Sequence, residues 1–349
     1  MKQFDFAIIG FGIAGATITR ELTLRGFSVI VLDSGMNSAT AVAGGTLHPA
    51  VLRYYNKVWR ADEFWPKAKL FYQSLEQEWQ IPFVRTNGLV RVFASDEESS
   101  LWQEKRKDPF WHDYLKPLDQ SESLSLPLIH APHGYGMSDD FWRFDPAFLL
   151  KTYRQKLLET GQYMSAELSF NSREALYKQI MDLGFQPERI VLAQGFQQEF
   201  WPDLPLGNPI TCKQGQYLII ECPGLNLTPT LKSKFFIIPL GEDRYQVGAT
   251  YPRSNEPWAF EESQQRIISD FDQLVNLPYR IVDYRTGTRP GTKDRKPILG
   301  AFKNVADIYV INGLNSRGLL MAPLLSSWLV DHMLYETPLP KEVALSRFF

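Results

Sequence analysis

The sequence predicts an α/β protein in which a sheet of parallel strands is interrupted by a second, mainly antiparallel sheet. Strand and helix patterns alternate at the start, in the middle and at the end of the 349-residue chain. Patterns of antiparallel strands lie in between, above all from Thr211 to Arg285, and a helix pattern at 260–275 separates them. This order predicts a discontinuous Rossmann-like domain with an inserted domain of mainly antiparallel sheet and helices.

The chain opens with an apolar strand that runs into a glycine-rich turn, a helix and a second strand. The turn holds Gly10, Gly12 and Gly15 in the spacing Gly-x-Gly-x-x-Gly. These glycines allow a tight turn, close approach of a pyrophosphate and contact between helix and strand. The second strand ends in Asp33, whose carboxylate can accept hydrogen bonds from ribose hydroxyls. The motif alone is weak evidence, but with strand, helix and acid in register it predicts an adenine dinucleotide site. This strand–turn–helix–strand unit alone does not show which dinucleotide binds.

Further helix patterns cover residues 57–79, 96–107 and 146–161, and a closing helix extends to about Tyr335. Pro66 predicts a break or a kink in the first of these. Asp145 followed by a proline is typical of a helix start, and Gly161 is typical of a helix stop. Residues 127–136 are dense in proline and glycine, which predicts a loop or a hairpin.

Composition favours a cytoplasmic protein and gives little support to a nucleic-acid or membrane partner. The formal net charge is −2, and 44% of the residues are apolar. No stretch has the pattern of a signal peptide or of a membrane span. The two cysteines, Cys212 and Cys222, have no metal-ligand spacing, so we expect no metal site. A local basic cluster is equally well explained as a solvated helix face; it comprises Arg53, Lys57, Arg60, Lys67 and Lys69.

Four further stretches resemble one family in combination. They are Ser38–Pro49, Phe236–Pro239 with Val247–Tyr251, Gly287–Gly300, and the turn Gly313–Gly318. Together with the opening glycine motif they resemble the D-amino-acid oxidase family of FAD-dependent amine oxidoreductases. The resemblance implies a discontinuous FAD-binding domain (1–80, 137–208 and 286–349) and a substrate domain (81–136 and 209–285).

The resemblance also implies FAD as the cofactor, held without a covalent bond. Small residues would let the backbone lie against the flavin ring, and the turn before the last helix would aim N–H groups at the pyrimidine end of the ring, where charge accumulates on reduction. The implied FAD-binding residues are Gly10, Gly12, Ile13, Ala14, Gly15, Asp33, Ser34, Ala43, Gly44, Gly45, Thr46, Leu47, Ala193, Gly195, Gly287, Arg289, Gly313, Leu314, Asn315, Ser316, Arg317, Gly318 and Leu319.

Four residues are expected to bind or orient a substrate. Arg289 is the candidate for the substrate carboxylate, because a guanidinium binds a carboxylate with two hydrogen bonds; a structural salt bridge is the alternative. Arg317 could support the flavin or a substrate anion, and Tyr251 could face the cavity or simply belong to its rim. His48 stands where some relatives attach FAD covalently, although a histidine that lines the pocket or is capped by solvent is the favoured interpretation. No general base is assigned.

The expected reaction is oxidation of a C–N bond in an amino acid or secondary amine that carries a carboxylate. In this family, hydride passes to flavin N5, water hydrolyses the imine, and dioxygen or another acceptor reoxidises the flavin. The stretch 289–300 is most similar to glycine oxidase, although Phe236 lacks the hydroxyl of a carboxylate-binding tyrosine. The stretches 44–75 and 314–348 are most similar to an enzyme that trims a carboxymethyl group from a tRNA wobble uridine, so a tRNA substrate is the alternative. A flavoprotein without turnover is the third interpretation.

Overall fold

Two large sheets form the frame of the protein in this computed structural model. The structure describes residues 1–35, 38–52, 54–117, 126–198, 208–251, 257–303 and 305–349. The strands of these residues are β1 (Lys2–Ile9), β2 (Val29–Asp33), β3 (Thr46–Leu47), β4 (Ala50–Val51), β5 (Asn56–Lys57), β6 (Leu89–Val92), β7 (Tyr135–Ser138), β8 (Trp142–Arg143), β9 (Tyr163–Ser165), β10 (Phe185–Leu192), β11 (Ile210–Glu221), β12 (Thr230–Lys232), β13 (Phe236–Gly241), β14 (Arg244–Thr250), β15 (Arg280–Thr292), β16 (Ile298–Phe302) and β17 (Val305–Asn312).

The α-helices of the described residues cover both large sheets and fill the connections between strands. They are α1 (Ile13–Leu24), α2 (Ala39–Val42), α3 (Ala61–Trp79), α4 (Asp96–Lys105), α5 (Pro109–Tyr114), α6 (Pro146–Glu159), α7 (Arg173–Asp182), α8 (Pro257–Leu274) and α9 (Gly318–Tyr335). Within the described ranges, no helix is long and apolar enough to cross a membrane.

The six-stranded sheet carries the glycine motif. Its strand order is β16-β17-β10-β1-β2-β9, with parallel pairing throughout except for the antiparallel edge strand β16. Strand β1 is buried on both faces from Phe6 to Ile9, as expected for a parallel strand covered by helices on each side. Ile9 lies between Leu32 of β2 and Leu192 of β10, so three strands end at one level before the glycine turn.

The seven-stranded sheet has the order β15-β11-β14-β13-β12-β6-β7 and is antiparallel except between β12 and β6. Its longest pair joins β11 to β15, from Ile210 opposite Thr292 to Glu221 opposite Arg280. Helix α8 covers one face, where Ile267 and Phe271 enter the same apolar core as the strands. Strand β15 crosses the expected domain boundary at residue 286, and β7 crosses the one at 136. The division into domains stays a prediction.

Several helix boundaries differ from the sequence expectation. The helix expected from residue 57 begins at Ala61, because Asn56 and Lys57 pair with β4 and Arg60 adopts a φ of +51°. The helix continues through Pro66 without ending. Asp145 accepts hydrogen bonds from the first turn of α6, as its sequence pattern predicts. Helix α7 was not expected from the sequence; its Leu176 and Ile180, one helix turn apart, are fully buried.

Phe64 gives a direct test of the core around α3. Its side chain is fully buried and packs against Trp59 and Trp328. We expect Phe64→Ala to lower the free energy of unfolding by about 3–5 kcal/mol, because the cavity adds to the lost apolar burial. Urea unfolding measures this difference. The matched control is Leu70→Ala on the same helix, where the side chain is 66% exposed and the change should stay within about 0.5 kcal/mol. Equal effects of the two substitutions would contradict this packing.

Candidate functional site

A cavity of about 530 Å³ opens beyond the ends of β1, β2 and β10 and reaches the seven-stranded sheet. This edge of a parallel sheet, where crossovers leave on opposite sides, is where α/β proteins bind ligands. Both sheets contribute to the lining, together with α2 and the turn that precedes α9. The cavity therefore collects segments from the start, the middle and the end of the chain.

The glycine turn fits its position closely. Gly10 has a φ of +98°, and a Cβ there would lie 2.6 Å from the carbonyl oxygen of Ala193. A Cβ on Gly15 would lie 2.0 Å from the carbonyl oxygen of Gly10. Only glycine therefore allows α1 to begin directly against the ends of two strands. This arrangement directs the N-terminal end of α1, with its partial positive charge, into the cavity.

Asp33 fixes the far side of the same turn. Its Oδ1 accepts a hydrogen bond from the Phe11 N–H at 2.9 Å, and its Oδ2 accepts one from the Tyr163 hydroxyl at 2.9 Å. Arg154 lies 3.3 Å from the same Oδ2 atom. The carboxylate is thus held at the cavity edge, with one lone pair on Oδ1 left over for a ligand hydroxyl. Nothing in the local sequence indicated Arg154 or Tyr163, because they reach Asp33 from α6 and β9.

Gly44 and Gly45 begin the segment that crosses the cavity wall. A Cβ on Gly44 would lie 2.4 Å from the Ile238 side chain, and one on Gly45, with φ of +70°, would lie 1.7 Å from the Phe144 carbonyl oxygen. Side chains at both positions would therefore collide with the protein itself. Packing requires glycine here in addition to any contact with a ring system that the family resemblance implies.

Arg289 and Tyr251 lie together at the rim of the cavity. The Arg289 Nη1–H donates to the Tyr251 hydroxyl at 2.9 Å, and the guanidinium carbon lies 4.6 Å from the centre of the tyrosine ring. Tyr251 is 45% exposed, so this pair is open to a ligand that arrives from solvent. Among the described residues Arg289 has no acidic partner within ion-pair distance. Its charge is therefore available for an anion.

His48 and Arg317 lie together at a more enclosed part of the wall. The Arg317 Nη1–H donates to His48 Nε2 at 3.1 Å, and Nη2–H donates to the Ala50 carbonyl oxygen at 2.9 Å. The His48 ring is buried and stacks on Phe141, with 5.1 Å between centroids. Burial, and then the charge of Arg317, lowers the pKa of His48 well below its ordinary value. The ring is therefore neutral, and because Nε2 accepts, its proton is on Nδ1.

Most of the expected site residues line this one cavity. Those on the lining are Gly10, Gly12, Ile13, Ala14, Asp33, Ser34, Ala43, Gly44, Gly45, Thr46, His48, Ala193, Gly195, Tyr251, Gly287, Arg289, Leu314, Asn315, Ser316, Arg317, Gly318 and Leu319. Three expected residues are absent from it: Gly15, Leu47 and Gly313. Gly15 packs against Gly10, and Leu47 is fully buried in the core below. Gly313 (φ +69°) packs under Thr292, where a Cβ would lie 2.8 Å from that side chain.

Sequence reasoning missed other lining residues. Thr40 accepts a hydrogen bond from the Ile13 N–H at 3.1 Å and so joins α2 to the start of α1. Tyr217 of β11 also lines the cavity, and burial raises its pKa. Asn312 donates to the Gly195 carbonyl oxygen at 2.8 Å, which joins β17 to the short turn after β10. Thr40 lies within the stretch 38–49, but neither it nor the other two was singled out, because their contacts arise only from the tertiary fold.

Lys232 lies close enough to His48 for its charge to act on that ring. Its Nζ donates to the Lys234 carbonyl oxygen at 2.9 Å and lies 4.7 Å from the centre of the Phe236 ring. Burial, and then the charge of Arg91, lowers the pKa of Lys232 to about 7. The side chain therefore changes its charge near neutral pH.

This pKa predicts a specific dependence of stability on pH. Between pH 7 and the ordinary lysine pKa of 10.5, the unfolded chain binds the proton that the folded chain has lost. Stability therefore rises with pH in this window, by up to about 1.4 kcal/mol per pH unit from this group. We expect the wild type to gain stability relative to Lys232→Met between pH 7 and pH 9 in urea unfolding. Lys234→Met, an exposed neighbour, is the control and should leave the pH profile unchanged. Parallel profiles of wild type and Lys232→Met would contradict the lowered pKa.

Comparison with known proteins identifies the family. The family model described as DAO, FAD dependent oxidoreductase, matches residues 5–332. The tRNA 5-methylaminomethyl-2-thiouridine biosynthesis bifunctional protein MnmC of Idiomarina loihiensis is 24% identical over 99% of this chain, which spans 59% of that protein. Glycine oxidase of Bacillus subtilis is 22% identical, over 95% of this chain and 93% of that enzyme.

The crystal structure of glycine oxidase from Geobacillus kaustophilus superposes with a TM-score of 0.78 at 18% identity, over the whole length of both chains. This likeness confirms the predicted α/β fold class. The match of the family model extends from β1 into α9 and so includes every segment that lines the cavity. The chain belongs to the DAO family of FAD-dependent oxidoreductases, and its cofactor is FAD.

Proposed function

We propose that this oxidoreductase oxidises the C–N bond of a small amine or amino acid that carries a carboxylate. The observation that carries the proposal is the Arg289–Tyr251 pair at the cavity rim, where a guanidinium without an acidic partner among the described residues meets a hydroxyl. A carboxylate bound there would receive two parallel N–H hydrogen bonds from the arginine. The tyrosine hydroxyl keeps the guanidinium plane in place before the ligand arrives.

The residues at the glycine turn fit the pyrophosphate of FAD. A Cβ on Gly12 would meet only Thr40 Oγ1 at 3.5 Å and Ser38 Cβ at 3.9 Å, so the protein leaves open space beside this residue. Gly12 is the N-cap of α1 and provides no side-chain cap, and of the first N–H groups of the helix only that of Ile13 has a side-chain acceptor, Thr40 Oγ1. Gly10, Gly12, Ile13 and Ala14 would hold the phosphates, and Asp33 would hold the ribose.

The start of α9 offers a second free helix end to the same cavity. Its N-cap, Arg317, makes no side-chain cap hydrogen bond. Five other helices are capped by serine or aspartate side chains, namely those of Ser38, Ser95, Asp108, Asp145 and Ser172. The free N–H groups and positive dipole end of α9 would face the ring portion of FAD. Residues 314–319 would hold it there, together with residues 43–46.

When bound, FAD accepts the electron pair that leaves the substrate as hydride. In the proposed reaction the substrate carbon loses this hydride and its nitrogen loses a proton, which gives a C=N bond. Water then adds to the carbon and releases a carbonyl compound and an amine. Arg289 orients the substrate through its carboxylate, and desolvation in the cavity favours the neutral amine. No described side chain is needed as a general base. Dioxygen is the proposed electron acceptor.

We also propose that FAD is bound without a covalent bond to the protein. His48 Nε2 is already the acceptor for Arg317, and the ring lies flat against Phe141. A covalent link at Nε2 would break the hydrogen bond to a guanidinium that has no acidic partner among the described residues. The neutral, buried imidazole is better suited to support Arg317 than to carry the cofactor.

A carboxymethylated uridine of tRNA is a second candidate substrate, favoured by the match to the bifunctional tRNA-modifying protein. The distribution of charged residues gives little support to a tRNA substrate. The described members of the basic cluster are neutralised by acids, in the pairs Lys57–Asp62, Arg60–Glu63, Lys67–Glu21 and Lys69–Asp140; Arg53 lies outside the described residues. Binding of labelled tRNA at 50 and 200 mM salt separates the candidates, since phosphate contacts make affinity fall steeply with salt.

Arg289→Leu tests the proposal. We expect the variant to keep FAD and the folded state but to lose at least about 100-fold in the rate of flavin reduction by carboxylated amines, because the charge-assisted hydrogen bonds are removed. The measurement mixes the yellow protein anaerobically with amino acids and N-alkyl glycines and follows bleaching of the flavin band.

Tyr251→Phe is the matched variant and should lose about tenfold or less, because the guanidinium remains. Reduction of Arg289→Leu at the wild-type rate would overturn the role of the arginine. A wild-type protein that no carboxylated amine can bleach would overturn the proposed substrate class.

A further inference from the structure

Arg317 places a second charge on the cavity wall without a counter-ion. The partners of its guanidinium are two neutral acceptors, His48 Nε2 and the Ala50 carbonyl oxygen. No carboxylate of the described residues lies within ion-pair distance of it. Burial lowers the pKa of this arginine from its ordinary value, because a buried site disfavours an uncompensated charge. A buried charge normally has a partner of opposite charge, and a bound ligand can supply that partner.

Three buried polar groups near Arg317 lack a well-formed hydrogen bond. Among the described residues they are His48 Nδ1 and the hydroxyls of Tyr114 and Ser138, and these two hydroxyls lie close enough to interact with each other. Tyr114 lies close enough to Arg317 for the guanidinium charge to lower its pKa, against the larger rise that burial causes. The protonated Nδ1 group can only donate, whereas each hydroxyl can donate or accept. Arg317 thus combines a positive charge with neighbours that can donate hydrogen bonds to an anion.

The neighbouring charges are largely balanced among themselves. Lys232 lies close enough to His48 for its charge to act on that ring, and Arg91 forms an ion pair with Glu98 at 2.7 Å. Glu98 Oε1 also accepts from the Tyr55 hydroxyl at 2.7 Å, and Oε2 accepts from the Ala94 N–H at 2.8 Å. Glu98 is therefore not free to neutralise Arg317.

Arg317 and Arg289 belong to neighbouring segments but reach different parts of the cavity. The turn before α9 is fixed to β15 by the Asn315 N–H, which donates to the Pro290 carbonyl oxygen at 3.1 Å. From these two segments, Arg289 reaches the exposed Tyr251, whereas Arg317 reaches the buried His48. Two cationic positions, one open and one enclosed, therefore face the same ligand space.

We propose that Arg317 and His48, which line the cavity, form a second carboxylate subsite with the buried hydroxyls of Tyr114 and Ser138 beside them, so that the substrate is a secondary amine with an acidic group on each side of its nitrogen. The inference rests on the proposed function, in which Arg289 binds the first carboxylate. One acidic arm lies at the rim on Arg289, and the other lies at the enclosed end on Arg317. The nitrogen and its two neighbouring carbons lie between them.

The test compares ligands that differ by one carboxylate. Diglycolate has two carboxylates around an ether oxygen and cannot be oxidised at a C–N bond, and methoxyacetate has one. Binding of each to the FAD-loaded protein is measured from the change in the flavin absorption spectrum. We expect diglycolate to bind about 10- to 100-fold more tightly than methoxyacetate, the value typical of one buried hydrogen-bonded ion pair. In anaerobic reduction, iminodiacetate should exceed N-methylglycine by a similar factor.

Arg317→Gln should reduce the diglycolate preference to within about threefold, and Arg317→Lys should keep part of it, since the charge remains but the planar fork is lost. Tyr114→Phe is a second variant, expected to reduce the preference by about three- to tenfold. Arg266→Gln, an exposed arginine of α8 far from these segments, is the control and should keep the full preference.

Two results would overturn the second subsite. One is a wild type that binds both ligands with equal affinity. The other is an Arg317→Gln variant that weakens both ligands equally, because Arg317 would then serve the flavin instead of a second carboxylate. If the proposed amine oxidation itself is wrong, neither N-methylglycine nor iminodiacetate bleaches the flavin. This result is distinct from the two that overturn only the second subsite.

Discussion

The packing of the first helix against the last one is the constraint on which the site depends. The Ser326 hydroxyl donates to the Thr17 hydroxyl at 2.8 Å in the buried contact between α1 and α9, across 309 residues of sequence. At the cavity end of this contact, a Cβ on Gly318 would already lie 3.1 Å from the Ile13 side chain. Both helices therefore begin at the same place and direct their free N-terminal ends into one cavity.

With this arrangement, the two sheets contribute different parts of the site. The six-stranded sheet ends at the glycine turn and Asp33, which are suited to the phosphates and ribose of the FAD cofactor. The seven-stranded sheet brings Arg289 on β15, whose last residues lie against the turn before α9. Because β15 pairs with β11 along its whole length, a rigid two-strand ribbon sets the position of the guanidinium. The site thus has Arg289 on a regular element, which keeps the position of this charge fixed.

Local chemistry allowed the cofactor half of the site to be predicted from sequence. Gly10, Gly12 and Asp33 follow from the steric needs of a strand–turn–helix unit, and each lines the cavity. Leu47 was expected beside the cofactor, but it points into the core because residues in a strand alternate between faces. Tyr217 and Arg154 escaped prediction, since each reaches the site through a tertiary contact that no local pattern encodes. The roles of the site residues remain proposals.

The enclosed end of the cavity escaped prediction for the same reason. His48 and Arg317 were each expected near the flavin, but their mutual hydrogen bond and the absence of a nearby acid among the described residues arise only from the fold. Neither residue type nor spacing indicates that a guanidinium will lack a counter-ion. Whether a guanidinium has a counter-ion depends on which side chains are buried around it, and burial is a property of the folded chain.

A crystal structure of the FAD-loaded protein with methoxyacetate tests the account most directly. The account predicts that the pyrophosphate of FAD contacts the backbone of Gly12 and Ile13, and that the ligand carboxylate forms two hydrogen bonds with Arg289. A carboxylate bound far from Arg289, or a flavin ring outside the space between residues 43–46 and 314–319, would contradict it.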